Sequence, residues 1–197
     1  MSRSVRASPG RPPRTDRAEI EQAAFGLFAV HGFDGTTLDM IAGEVGVGRR
    51  TLFGYFASKN DIPWGDFAAS LASFRTILAD QPTDEPLWSS VHRGVVAFND
   101  FDEAVMPLHR QRMQLILSTP TLQAHSVLQY GAWRRVIVDH VADRTGTSAG
   151  DPLPQAVGHV SLALSISAYD QWLADGSVRL TTYLEEAMTH LRNYLRI

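Results

Sequence analysis

"TTLDMIAGEVGVGRRTLFGYFASKND" occupies residues 36–61. Thr36 can cap a short helix, with Asp39 three residues on, a start like a capping box. Ala42 is small enough for two helices to cross closely. Gly46 follows four residues later and can take the positive φ of a sharp turn. Ile41, Val47 and Leu52 supply apolar contacts between a helix before the turn and one after it. The pattern is that of a helix-turn-helix. Arg49, Arg50 and Thr51 are left at the exposed start of the second helix, the part that enters a major groove. There an arginine can bond two acceptors of one guanine. Phe53 and Phe56 are expected to pack that helix down. Lys59, the chain's only lysine, falls in the first turn of the next helix, where the macrodipole does not favour a cation. It makes better sense facing a phosphate, and Tyr55 can offer its hydroxyl to the same backbone. Bare look-alikes of this turn are common in helical proteins, and an arginine pair is often a solvated face.

The flanks strengthen the reading. Residues 1–14 hold four arginines, three prolines and a glycine among small residues, which predicts a disordered basic arm. From Asp16 to His31, apolar residues at helical spacing predict a first helix, with Thr15 as cap and Gly32 as stop. Residues 1–60 carry eight basic against six acidic side chains, and residues 61–197 carry ten against fifteen. A basic first third on an acidic remainder suits a small anion-binding module joined to something else. Genome composition offers a rival account, because seventeen of the eighteen basic residues are arginine.

Beyond Ser58 the periodicity predicts helices only, about nine in the whole chain, with no strand and no repeat. One long helix is expected from Ser58 to about Leu78. Others cover about 85–104, 107–120, 121–144, 155–175 and 178–195. The expected division is an arm over 1–14, a helix-turn-helix domain over 15–60 and a helical second domain over 61–197. There is no cysteine, which excludes disulfides and thiolate metal sites. No apolar run suits a signal peptide or a membrane span, so a cytoplasmic protein without a membrane partner is expected.

The stretch at 36–61, with "FAVHGFDGTT" at 28–37, resembles the DNA-binding signature of the TetR family of bacterial repressors. The resemblance covers roughly residues 16–62. It implies an all-helical homodimer, with a three-helix DNA-binding domain and a larger domain for ligand binding and dimerisation. It implies that Thr36, Thr37, Tyr55 and Lys59 hold phosphates, and that Arg49, Arg50 and Thr51 face bases. Gly48 departs from the family's habit of a capping side chain at the start of the recognition helix. Gly54 is a second oddity, costing helix stability by about 1 kcal/mol. "SKNDIPWGDF" (58–67), "HRQRMQLILSTPTLQAHS" (109–126), "YGAWR" (130–134) and "AYDQWLAD" (168–175) are similar to TetR-type regulators encoded beside mycofactocin genes in actinobacteria.

The second domain is rich in aromatics. Phe67, Leu71, Phe74, Trp88, Phe98, Met113, Ile116 and Trp133 are candidates for a ligand pocket, with ordinary core as the alternative for each. Asn99, His125, Arg134 and Tyr169 fall on or beside apolar faces, where a buried polar group needs a partner in the protein or a ligand. Arg112 belongs to a cluster with Arg110, Arg134 and Arg135. The cluster could take an anionic head group such as that of an acyl-coenzyme A, or pair with nearby carboxylates. Val160, Leu164, Leu184, Met188 and Leu191 form stripes on the last two helices that suit a two-fold contact, or simply the core of a monomer.

The function expected is a ligand-responsive repressor on a near-palindromic operator, released by a small amphipathic effector. It is not expected to be an enzyme or to need a cofactor or metal. The rivals are an enzyme or carrier with an incidental helix-turn-helix, and a DNA-bending protein. Against the first, no H-E-x-x-H, G-x-S-x-G or glycine-rich phosphate loop occurs. Against the second, the large apolar domain would serve no purpose.

Overall fold

The computed structural model describes residues 15–195, so the predicted arm over 1–14 lies outside the described residues. Among the described residues there are nine α-helices, one 3-10 helix and no strand. The fold is all-α. The chain divides into two compact units, one ending at Gly65 and the other beginning at Asp66.

The first unit holds α1 (Arg17–Gly35), α2 (Leu38–Glu44), α3 (Arg49–Phe53) and a 3-10 helix over Lys59–Trp64. The cap of α1 is Asp16 rather than Thr15, in a reciprocal capping box with Glu19. Gly32, at φ 71° and ψ 166°, interrupts α1 at the expected stop, and a short turn then runs on to Gly35. Ile20, Ala24, Phe25, Phe28 and Phe33 on α1 are buried, as are Ile41, Ala42, Leu52, Phe56 and Ile62. Gly46, at φ 68°, makes the turn between α2 and α3.

The long helix expected from Ser58 to Leu78 is broken. Ser58 precedes a 3-10 turn containing Pro63, and Gly65 follows at φ 57°. That left-handed conformation ends the element, and Asp66 then caps a fresh helix by accepting from the Ala69 N–H.

The second unit holds α4 (Phe67–Ala79), α5 (Leu87–Phe98), α6 (Met106–Ser118), α7 (Pro120–Thr145), α8 (Pro152–Ala174) and α9 (Leu180–Leu195). The helix expected over 85–104 stops at Phe98, where the buried Asn99 turns its side-chain amide back to the Val95 carbonyl. The core gathers Leu71, Phe74, Leu78, Val95, Trp133, Ile137, Tyr169, Trp172, Leu180 and Leu184. Burying one such side chain contributes about 1.5–3 kcal/mol. At Gly158 of α8, an added Cβ would lie 2.8 Å from Val138 Cγ2 on α7, so glycine there permits a close crossing.

Two of the expected assignments change. Leu184, predicted at a dimer contact, is 0% exposed within one chain and belongs to its own core. Trp88, predicted in a pocket, is 47% exposed at the start of α5, with the Arg192 guanidinium 4.2 Å from its ring centroid.

Candidate functional site

In the first unit, Leu52 and Phe56 anchor α3 by burying its inner side. Arg49, Arg50 and Thr51 are left exposed together at its start. Gly48 precedes α3 and makes no side-chain cap. Phe53, expected to help hold the helix down, is 46% exposed on the same outer surface. The Arg49 guanidinium carbon sits 5.8 Å from the Phe53 ring centroid. Arg49 Nε also lies 3.2 Å from Asp39 Oδ1 on α2. That pairing was not legible in the sequence, because it joins residues on either side of the turn.

The four residues assigned to phosphates by resemblance have unequal positions. Thr36 is 1% exposed, and its hydroxyl donates to the Gly32 carbonyl at 2.8 Å. Its oxygen cannot reach a phosphate from there. The cap of α2 is Thr37, whose exposed hydroxyl accepts from the Met40 N–H at 3.2 Å. That oxygen still has its own hydrogen to donate. Tyr55 donates its hydroxyl inward, to the Thr15 carbonyl at 2.5 Å. Lys59 donates to the carbonyls of Phe33 at 2.7 Å and Thr36 at 2.8 Å, and its ammonium lies 4.4 Å from the Phe33 ring centroid. Two of its three N–H groups therefore close the end of α1, where helix carbonyls lack intrahelical partners. Arg17 is structural as well. It donates to the carbonyls of Tyr55 at 2.7 Å and Gly65 at 3.2 Å, across the Phe56 ring.

In the second unit, Leu71, Phe74, Asn99, Ile116, Trp133 and Tyr169 are buried within the single chain. Phe67, Phe98 and Met113 pack partly buried against that core. Phe74 has Phe98 at 4.5 Å and Trp133 at 5.3 Å between ring centroids. Arg112, His125 and Arg134 are half-buried.

A polar chain crosses the aromatic cluster. Tyr169 donates its hydroxyl to Asn99 Oδ1 at 2.7 Å, and His109 Nε2 lies 2.8 Å from the same hydroxyl oxygen. The tyrosine has one hydrogen and has spent it on Asn99. His109 must therefore carry its proton on Nε2 and donate. Burial, with the nearby Arg112 charge adding to it, lowers the His109 pKa to about 4, so the ring is neutral at pH 7. Burial likewise pushes the Tyr169 phenol above its usual range. His109 was visible in the sequence only as part of a charged run, since its partner lies sixty residues away.

The predicted arginine cluster is largely committed to protein partners. Arg110 donates to the carbonyls of Trp172 at 2.9 Å and Leu173 at 2.7 Å, closing the end of α8. Arg135 pairs with Asp139 one turn on at 2.7 Å. Arg134 Nη1 lies 2.6 Å from His159 Nδ1, and its buried Nε has no hydrogen-bond partner.

Comparison with known proteins agrees with this geometry. Residues 20–62 match the model of the bacterial regulatory proteins of the tetR family. Residues 85–196 match the MftR C-terminal domain. The chain is 44% identical over 178 residues to MftR of Mycobacterium tuberculosis, a regulator named for mycofactocin biosynthesis, covering 90% of each chain. It is 28% identical to the HTH-type transcriptional regulator TcmR of Streptomyces glaucescens, over 97% of this chain and 90% of that one. Its fold is similar to that of a TetR-family regulator from Syntrophomonas wolfei, at a TM-score of 0.66 and 14% identity, over 92% of this chain and 95% of the other. A helix-turn-helix with an exposed arginine face, joined to an MftR-type helical domain, is a transcriptional regulator: the chain belongs to the TetR family.

Proposed function

We propose that the protein represses transcription as a homodimer on a near-palindromic operator and is released by an amphipathic small molecule. The observation that carries the reading is the α3 surface, where buried Leu52 and Phe56 hold Arg49, Arg50 and Thr51 outward. Two such helices, related by a two-fold axis, would meet half-sites about one helical turn apart or a multiple of it. Val160 supports the dimer, being 44% exposed on α8, with Leu164 half-buried one turn on and Leu191 half-buried on α9, while Met188 packs against the chain's own core. No helix among the described residues is long and apolar enough to cross a membrane, which suits a cytoplasmic regulator.

The effector class we propose is an acyl-coenzyme A. The aromatic interior around Phe74, Phe98 and Trp133 suits its chain, and Arg112 and Arg134 suit its anionic part. Arg110 and Arg135 are withdrawn from that role by their protein partners. Release requires the effector to bind better to a form whose recognition helices no longer fit the operator. The similarity to a regulator named for mycofactocin biosynthesis makes DNA beside such genes the first operator to test.

The test is a band shift across a salt series on DNA upstream of the gene itself and of neighbouring mycofactocin genes. Sequence-specific, salt-sensitive retardation is expected. Equal binding to every duplex would end the repressor reading. Calorimetric titration of an acyl-coenzyme A chain-length series, with and without operator, then tests the effector. Affinity that ignores chain length or DNA would end that part alone, since operator and effector must weaken each other by the same factor.

A further inference from the structure

The outer surface of the helix-turn-helix carries an acidic residue where attraction to DNA alone would favour none. Asp39, on α2, is 66% exposed at its side chain, and Arg49, on α3, is 58% exposed. Arg49 Nε lies 3.2 Å from Asp39 Oδ1, and Nη1 donates to Oδ2 at 3.5 Å. So exposed a pair contributes little to stability. It still does two things. The carboxylate cancels one positive charge on a face that meets phosphates. It also holds a long side chain that would otherwise sample many rotamers. Phe53 bounds the guanidinium from the other side, with its ring centroid 5.8 Å from Arg49 Cζ, and is itself exposed on the same surface. The Nη2 group and one hydrogen of Nη1 remain for DNA.

We infer that Asp39, Arg49 and Phe53 form one reading unit, in which Asp39 positions Arg49 on a guanine and Phe53 packs on the methyl group of a neighbouring thymine. This rests on the DNA-binding reading above. Guanine presents two acceptors, O6 and N7, to a guanidinium in the major groove, and thymine presents its methyl group beside them. An unpinned arginine can turn to the nearest phosphate and bind any sequence. For an arginine tied to Asp39 that turn costs the ion pair, weak in open water but stronger once the DNA has displaced solvent from the contact. Asp39 therefore raises discrimination while lowering affinity for DNA in general, a combination that a residue serving only the helix would not produce.

The experiment uses the full chain. A consensus is first selected from a random duplex pool. Affinities are then measured on the consensus with 7-deazaguanine replacing each guanine in turn, which removes N7, and with uracil replacing each thymine, which removes the methyl group. For the unmodified protein, one guanine per half-site is expected to cost about tenfold on replacement. Arg49→Ala should erase that sensitivity. Asp39→Asn should reduce it to less than about threefold while tightening binding to random duplex. Asp39→Glu, which restores the carboxylate, should recover it in part. Phe53→Ala should remove the cost of uracil at a thymine adjacent to that guanine. Circular dichroism of each variant separates loss of reading from loss of fold. If Asp39→Asn keeps the full sensitivity, or weakens consensus and random DNA equally, the inference is overturned and the regulator reading stands. If the unmodified protein selects no consensus, both fall.

Discussion

The ammonium of Lys59 lies 2.7 Å from the carbonyl oxygen of Phe33, twenty-six residues earlier, and 2.8 Å from that of Thr36. It ties the 3-10 segment to the end of α1. The same contact sets the backbone just before α2, because Thr36 ends α1 and Thr37 caps α2.

Lys59→Met should therefore lower the stability of the first unit by about 1.5–3 kcal/mol, the range for hydrogen bonds to a charged group. Urea unfolding followed by circular dichroism reads this as a lower midpoint. A lysine that served only a phosphate would leave the midpoint unchanged and reduce only the salt dependence of DNA binding.

The two threonines should separate. Thr37→Ala removes the α2 cap at a cost of about 1 kcal/mol. It should also weaken binding to all sequences about equally and leave the salt slope as it was, because the exposed hydroxyl is a neutral phosphate donor that displaces no counterion. Thr36→Val keeps the buried shape and removes only the bond to Gly32. It should change stability by about 1 kcal/mol and leave DNA affinity as it was. Band shifts of both variants on specific and random duplexes check the contrast, and equal losses of affinity would end it.

Burial separates two positions, Leu184 and Val160, that were both expected at the two-fold contact. Leu184→Arg places a charge in the core of a single chain and should unfold it, at a cost of about 4 kcal/mol or more. Val160→Arg alters an exposed site and should leave the helical spectrum intact while shifting sedimentation from dimer to monomer. A folded Val160→Arg dimer would move the interface off α8.

His109 gives stability a pH dependence of definite sign. Its folded pKa is about 4, against an ordinary 6.5, first through burial and then through the Arg112 charge. The unfolded chain takes up the proton near pH 6.5, and the folded chain only near pH 4. Stability from this group is thus complete above about pH 6.5 and is lost as pH falls towards 4, by about 3 kcal/mol in all. Burial shifts His92 and His140 in the same direction. Urea unfolding at pH 7 and pH 4.5 should show a smaller loss for His109→Gln, whose amide can still donate to Tyr169, than for the unmodified protein. An equal loss would remove His109 as the source.

Local chemistry wrote the helices into the sequence. Leu52 and Phe56, one turn apart, face inward, and Gly46 supplies the one backbone conformation the turn needs. Such signals act within a few residues, so spacing and side-chain type determine them. The exposed Arg49, Arg50 and Thr51 were legible for the same reason. What the polar side chains bond to was not. Tyr55 meets Thr15 forty residues away, Lys59 meets Phe33 across twenty-six, and His109 meets Tyr169 across sixty. A hydroxyl or ammonium has no periodicity that names its partner. Only the packing of α1 against the 3-10 segment, and of α6 against α8, brings donor and acceptor within 3 Å. The Ser58–Leu78 helix failed on an intermediate scale: Gly65 took a positive φ that breaks the helical hydrogen-bond ladder, and Asp66 then caps a separate helix.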